Sequence, residues 1–406
     1  MNSNNKTTLV PKLRFNGFNE SWLIEPISKV LVEHKLKNVN GRDVFSVSME
    51  SGIVNQIEHL GRSYAAADTS HYTVARRFDV VYTKSPLKAF PFGIVKQTKF
   101  DGEIALSPLY GVFTPVNPHV GLMIEAYFES PNRSINFLSP LCQKGAKNTL
   151  QITNDTFLSG SLPLPKEPAE QEKIANCLSS LDELIAAQGR KVEALKSHKK
   201  GLMQQLFPCE GETQPGLRFI EFQNSRDWVR RRLGEFAEVS ASGDLDTATF
   251  SPDCTEKHCF PVYSNAVEKE GVYGYSSVAR HQANSITITA RGTLGSAFLR
   301  TTDFVGIGRL IVVSDFTNEV DPIFLKECWN HLAVVPQEVT SIPQLTAVAA
   351  RATSLPFPQL PEQQRIADCL TSLNSLITAA VQKLDTLKEH KKGLMQQLFP
   401  NMESTA

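Results

Sequence analysis

Eleven residues, HKKGLMQQLFP, occur twice without change, at 198–208 and again at 390–400. Extended backward, the match keeps register from Ile174 against Ile366, with 23 of 35 positions identical through the closing proline. Just upstream, LPLPKEPAEQEKI (162–174) answers LPFPQLPEQQRI (355–366) with one residue gapped. A further echo links PKLRF, Phe18 and Trp22 to PGLRF, Phe222 and Trp228. The chain is therefore an internal duplication, read as lead-in, variable block, helix, and the same again. The two blocks, 30–160 and 235–353, show no obvious similarity to each other, so one scaffold carries two different displays.

The repeated segments carry a heptad seam. Ile174, Leu178, Leu181, Ile185, Gln188, Val192, Leu195, Lys199, Leu202 and Leu206 alternate by four and three, as do Ile366, Leu370, Leu373, Ile377, Ala380, Leu384, Leu387, Lys391, Leu394 and Leu398. Pro168 or Pro361 suits a helix start, and Pro208 or Pro400 ends one. Each helix could pack on its own domain, but a stripe this narrow favours pairing of the two with one another. An antiparallel pair would then place the blocks at opposite ends of a rod. A helix of about 37 residues runs roughly 55 Å, and this covers on the order of 16 base-pair rises. Lys199 and Lys391, at equivalent seam positions, are either snorkelling lysines near the helix C-terminus or contacts to phosphate or a partner. His198 and His390 are expected at the surface or in an interface. Cys177 and Cys369 are expected to be buried thiols.

Length and composition bound the rest. At 406 residues and 41% hydrophobic content, two globular units with helices beside them fit the chain. Seven scattered cysteines and the polar start MNSNNKTTLVPKLRF point to the reducing cytoplasm, and no apolar run approaches a bilayer span, so no membrane role is expected. The net charge of zero argues against a self-sufficient nucleic-acid binder. It hides an uneven spread: residues 1–161 hold 17 basic against 13 acidic side chains, and 209–354 hold 13 against 18.

Both blocks alternate apolar and polar residues in short runs broken by Gly and Pro, such as FDVVYTK (78–84), EIALSPLYGVF (103–113), SITITARGTLGSAFL (285–299) and RLIVVS (309–314). The spacing predicts compact mixed α/β domains rich in strands and turns. Base edges are read by Arg, Lys, Asn or Gln on loops. In the second block this nominates Asn265, Arg291 and Thr293, with Arg280 and His281 on the turn before them. Arg291 could equally be a structural arginine between glycine-rich strands. In the first block Lys84, Lys88, Lys96 and Lys99 bracket an aromatic segment, as phosphate-positioning contacts would, or form a solvated face. Arg76 with Arg77, and Arg230, Arg231 and Arg232, are further phosphate candidates. Trp22 and Trp228 read as core anchors.

The order YSNA then ITITARGTLG in the second block, LSPLYGVF in the first, and the twin LPxP-EQ-I helices resemble the specificity subunits of type I restriction-modification systems, over essentially the whole chain. Block one lacks the ARGTLG signature. The resemblance implies a mixed α/β (α+β) fold with two target recognition domains and two long antiparallel helices, as a pseudo-twofold repeat. The expected bounds are 1–163 for the first domain with its N-terminal repeat segment, 164–209 for the central helix, 210–355 for the second domain and 356–406 for the distal helix. It implies a non-catalytic subunit that reads a bipartite, asymmetric site in double-stranded DNA. Two modification subunits, carrying S-adenosylmethionine and methylating adenine, and two restriction subunits would be its partners.

The chain carries none of the common catalytic or nucleotide-binding motifs. No GxxxxGK[ST] loop, no (N/D/S)PP(Y/F/W) motif and no GxSxG elbow is present. CTEKHC (254–259) lacks the second ligand pair that a zinc site needs. No cofactor, metal or catalytic residue is expected. The alternatives left open are a coiled-coil scaffold that binds proteins only, a DNA-binding protein outside a restriction system, and an enzyme with dispersed catalytic groups.

Overall fold

The computed structural model describes residues 9–144, 150–334 and 343–400; most of the polar start and the last six residues lie outside the described residues. The chain forms two compact units, residues 1–189 with 382–406, and residues 190–381. The division runs inside both repeated helices, so each unit contains the first part of one helix and the last part of the other.

In the first unit the strands are β1 (Leu23–Pro26), β2 (Leu31–Glu33), β3 (Val44–Ser48) and β4 (Gly52–Asn55), then, after helix α1 (Gln56–Leu60), β5 (Thr73–Arg76), β6 (Val80–Thr83), β7 (Ile94–Gln97), β8 (Glu103–Leu106) and β9 (Gly111–Pro115). Helices α2 (Pro118–Phe128) and α3 (Pro131–Leu138) follow, then the short pair β10 (Gln143–Lys144) and β11 (Leu150–Gln151), helix α4 (Asn154–Ser159) and β12 (Ser161–Leu164). Two four-stranded sheets result, in the orders β2-β9-β6-β7 and β4-β3-β8-β5. β1 pairs antiparallel with β12, so the chain enters and leaves the block on one ribbon. The core is aromatic: Tyr82 stacks on Phe157 with ring centroids 4.5 Å apart, and Phe113, Phe128 and Phe137 surround the pair. Such pairs add about 0.5–1.5 kcal/mol each beyond their burial. Asn117 and Ser130 accept from the first-turn N–H groups of α2 and α3, and Pro118 and Pro131 occupy first helical positions whose N–H would lack a partner.

The second unit begins within helix α5 (Pro168–Leu206) and continues with β13 (Val229–Arg232), β14 (Glu238–Ala241), β15 (Phe250–Ser251), β16 (Phe260–Tyr263), β17 (Val272–Ser276), β18 (Ser285–Ile288), β19 (Ala297–Arg300), β20 (Val305–Gly306) and β21 (Ile311–Ser314). Helices α6 (Pro322–Leu332) and α7 (Ala347–Ala352), strand β22 (Ser354–Phe357) and helix α8 (Leu360–Leu398) complete the order. The sheets run β14-β21-β18-β19 and β15-β17-β16-β20, and β13 pairs with β22 as β1 does with β12. Strand for strand, the first sheet repeats that of the first unit. In the second sheet β3 and β16 each pair antiparallel with the next strand and parallel with β8 or β20. β5 is reduced in the second unit to the bridge between His281 and Phe304, and β15 is added at the other edge. The missing ARGTLG signature in block one therefore changes a loop and leaves the fold intact.

The seam packs antiparallel within each unit. Ile174 and Leu178 of α5 share a core cluster with Leu394, Met395 and Leu398 of α8. In the second unit Met203 and Leu206 cluster with Ile366, Ala367 and Leu370. The remaining seam positions are buried or half-buried, while Leu184 and its counterpart Leu376 are exposed. Both tryptophans are core anchors: Trp22 meets Phe399 edge-on, and Trp228 meets Phe207 at nearly the same distance, 6.1 and 6.2 Å.

A duplicated clamp fixes each helix start. Glu170, in the first turn of α5, is 1% exposed and accepts from Arg14 at 2.7 and 2.8 Å and from Trp22 Nε1 at 3.3 Å. Glu362 of α8 does the same with Arg218 at 2.8 and 2.7 Å and Trp228 Nε1 at 3.3 Å. A carboxylate at a helix N-terminus is favoured by the dipole, and the forked guanidinium satisfies both of its oxygens. The hydrogen bond and charge of Glu170 and Glu362 raise Arg14 and Arg218 above the ordinary arginine value despite burial.

Candidate nucleic-acid interface

The β18–β19 connection of the second unit, residues 289–296, presents two nominated side chains, Arg291 and Thr293, both exposed. The loop is stiff. Thr289 N–H donates to Ser296 O (3.0 Å), Gly295 N–H to Thr289 O (2.8 Å), Ser296 N–H to Thr289 Oγ1 (2.9 Å), and Thr289 Oγ1 to Thr293 O. Gly292 and Gly295 take φ of +68° and +82°, which side-chain-bearing residues rarely adopt. Trp329 Nε1 of α6 donates to Gly295 O (2.9 Å), tying the loop to the helix behind the sheet.

Asn265 corrects the sequence expectation. Its Oδ1 accepts from Ala290 N–H at 2.6 Å and its Nδ2 donates to Gly308 O at 2.7 Å, so the amide braces two loops instead of facing an adenine. Arg280 is exposed but engaged, donating to Asp244 O (2.9 Å) and lying 3.7 Å from Asp246. His281 is half-buried against Phe304, and burial lowers its pKa. Arg230 and Arg231 lie on the β13–β22 ribbon, where Arg230 donates to Ser354 O and Arg231 pairs with Glu319, both at 2.7 Å; neighbouring Arg232 is exposed.

In the first unit the corresponding β6–β7 connection, residues 84–93, carries Lys84 and Lys88, both exposed. Gly93, with φ of +97°, closes this loop against the Thr83 carbonyl, and Tyr82 Oη donates to Phe92 O (2.7 Å). Arg76 lies on the edge strand β5 and pairs with Glu103 (3.0 Å); Arg77, over the Phe78 ring, pairs with Asp101. Equivalent hairpin loops of the two units thus display exposed cations of unrelated sequence.

Lys96 is the second correction. It sits on β7 with a side chain 6% exposed, its ammonium 3.0 Å from Glu129 and 3.4 Å from Glu125. A buried lysine held by two carboxylates has no face left for a phosphate. Lys99 beside it is exposed, 3.7 Å from Glu125 Oε2. Lys391 joins the same junction, 2.6 Å from both Glu129 and Asp182 of α5. Burial pushes Glu125 up in pKa against the pull of Lys99 and Lys96. For Glu129 burial is again the largest influence, but Lys96 and Lys391 outweigh it and hold the carboxyl below its ordinary range. Burial would lower Lys391, and Glu129 with Asp182 reverses this. In the second unit the equivalent Lys199 pairs with Glu327 of α6 (3.2 Å), which also accepts from Lys326 and from Asn374, the counterpart of Asp182. Both seam lysines therefore close buried polar junctions inside their own unit.

Among the described residues no group of three or more His, Cys, Asp and Glu is placed to hold a metal ion, and no helix is long and apolar enough to cross a membrane. Cys254 and Cys259 are free and exposed, and His258 Nδ1 lies 3.2 Å from Thr255 Oγ1.

Residues 225–389 match the family model of the type I restriction modification DNA specificity domain. A Mycoplasma pneumoniae protein named as a type I specificity subunit is 29% identical over 160 residues, covering 38% of this chain and 47% of the relative. The MjaVIII specificity subunit of Methanocaldococcus jannaschii, a type I restriction enzyme component, is 22% identical over 282 residues, 61% of this chain and 63% of the relative. The chain thus spans about half to two thirds of the length of these relatives. The crystal structure of a type I restriction-modification S subunit from M. genitalium superposes with a TM-score of 0.66 at 15% identity, over 97% of this chain and all of that one.

Proposed function

We propose, from the premise that the chain belongs to the type I restriction-modification specificity-subunit family, that it is a non-catalytic reader of a bipartite site in double-stranded DNA. One observation carries this reading. Two units that repeat one four-stranded sheet present, from the same hairpin position, loops of unrelated sequence whose exposed groups are Lys84 and Lys88 in one, Arg291 and Thr293 in the other. A repeated hairpin-bearing sheet with divergent cationic tips suits two readers of different half-sites, because base edges are discriminated by loop donors while the frame only positions them.

The charge balance favours assembly with partners. The second block carries more acidic than basic groups, and phosphate neutralisation supplies most non-specific affinity. Tight binding would then draw on basic surface from modification subunits. The duplicated helices, with Leu184 and Leu376 exposed at equivalent positions, suit two copies of one such partner, with restriction subunits joining that assembly. Each helix is 39 residues long. Under this reading its length sets the number of unread base pairs between half-sites.

The test is reconstitution of the full chain with its modification subunits, followed by mapping of methylated adenines across a genome. One split motif is expected, and exchanging residues 289–296 for the loop of another specificity subunit should change one half of it. Methylation independent of sequence, or a motif untouched by the exchange, would sink the reading.

A further inference from the structure

Two turns of the second unit meet on one side chain. Asn265 bonds to Ala290 N–H on one side and to Gly308 O on the other. Arg291 follows the first of these residues and Arg309 follows the second. The two arginines therefore each follow a residue whose backbone is bonded to the same carboxamide. The turn bearing Arg309 is as firmly held as the Arg291 loop: Gly308 N–H donates to Gly243 O (3.0 Å), Ile307 N–H to Tyr263 O (2.9 Å) and Ser242 N–H to Leu310 O (2.7 Å).

Arg309 is an odd residue for this place. Its φ is +68°, a left-handed conformation that glycine or asparagine adopts with less strain. Its side chain is exposed and makes no hydrogen bond or ion pair with the described residues. Within 238–314 the arginines are four. Arg280 is engaged with Asp244 and Asp246, and Arg300 is buried, 3.5 Å from the centroid of Tyr263 and bonded to Thr287. Arg291 and Arg309 are the two whose guanidinium groups the described residues leave unused. An arginine placed where its backbone is strained and its head group is unspent points to an external anion or base.

We propose that Arg309 is a second DNA-contacting arginine of this unit, and that Asn265 is a positioning residue holding it in register with Arg291. The proposal rests on the reading that this unit recognises one half-site.

The test uses the full chain assembled with its modification subunits, and a duplex carrying the mapped site, with binding followed by fluorescence anisotropy at several salt concentrations. Arg309→Ala is expected to weaken binding about 5- to 100-fold, the range of one good arginine contact. Arg309→Gly relieves the backbone and is expected to unfold no earlier than wild type while binding as weakly as the alanine variant. A merely structural arginine would not separate the two measurements in this way. Arg309→Lys then distinguishes a phosphate contact, which retains affinity, from a guanine edge, which loses it. Asn265→Ala should lower discrimination among single-base variants of this half-site about tenfold, with the other half-site unaffected. Wild-type affinity and salt dependence in both Arg309→Ala and Arg309→Gly would overturn the assignment. If Arg291→Ala still impairs binding in that case, the failure belongs to Arg309 and not to the recognition reading.

Discussion

Neutralising Glu129 separates two neighbouring carboxyl groups that static inspection would treat alike. In Glu129→Gln, Lys96 loses the partner at 3.0 Å and is left facing Glu125 at 3.4 Å, a carboxyl that burial pushes toward its protonated form. Lys391 keeps Asp182 at 2.6 Å. Breaking an isolated buried ion pair from one side costs about 3–5 kcal/mol, and with these residual partners the expected loss is about 2–3 kcal/mol. For a unit of this size that lowers the midpoint by roughly 4–12 °C. Glu125→Gln should act in the opposite direction at neutral pH, because it removes a charge that the interior penalises. The pH dependence follows from the two directions of shift. Glu129, held low, contributes stability that is present above its ordinary value and is lost as pH falls through its folded pKa. Glu125, pushed up, contributes most below its ordinary value and loses it as pH rises through its folded pKa. Both variants should therefore converge on wild type in acid. Thermal scans from about pH 2 to pH 8, with hydrogen exchange read on α2 and β7, measure this. Equal shifts for the two variants at pH 7, or a Glu129→Gln midpoint within about 1 °C of wild type, would refute the reasoning.

Arg291→Ala is expected to relax specificity at one position of one half-site by about 1–3 kcal/mol, seen as methylation of sites with a changed base there, while the other half-site stays intact. Glu362→Ala strands Arg218 and the Trp228 indole in an almost closed site and should cost about 3–5 kcal/mol; Glu170→Ala should cost the same within about 1 kcal/mol, and two unequal losses in urea unfolding would contradict the equivalence of the clamps. Gly93→Ala places a Cβ against the Thr83 carbonyl at positive φ and is expected to destabilise the β6–β7 hairpin by at least about 1–3 kcal/mol, read as lost exchange protection in those strands. Inserting one heptad into each long helix should lengthen the unread spacer of the methylated motif by about three base pairs; an unchanged spacer would show that helix length does not set it.

The sequence reached some of this structure and missed other parts for definite reasons. The seam, the helix limits and the anchoring of Trp22 and Trp228 were legible because a period of 3.5 and a repeated context each leave a one-dimensional trace. The mixed α/β blocks followed from strand-length runs, and the shared strand order did not, since pairing partners lie far apart along the chain. Asn265 was misjudged because asparagine suits an adenine edge and a backbone brace equally, and only the approach of Ala290 and Gly308 decides between them. Lys96 was misjudged because Ile94, Val95, Lys96 and Gln97 are all buried; a strand covered on both faces gives no alternation to mark which residues point to water. The Arg14–Glu170 and Arg218–Glu362 clamps did leave a trace, since all four residues fall inside repeated segments, but repetition alone does not say which repeated residues touch. Arg309 left none, because backbone handedness is not written in residue type.

The ribbons β1–β12 and β13–β22 have a mechanical consequence. Each holds the chain entering and leaving a variable block on adjacent strands, Leu23 opposite Leu164 and Val229 opposite Phe357, about 4.8 Å apart. Whatever folds between such ends is a cassette with a fixed socket. Replacing it alters neither the length of the chain path through the frame nor the geometry of the junction, so under the proposed function a new specificity would be installed wholesale, where stepwise mutation would have to keep every intermediate loop functional.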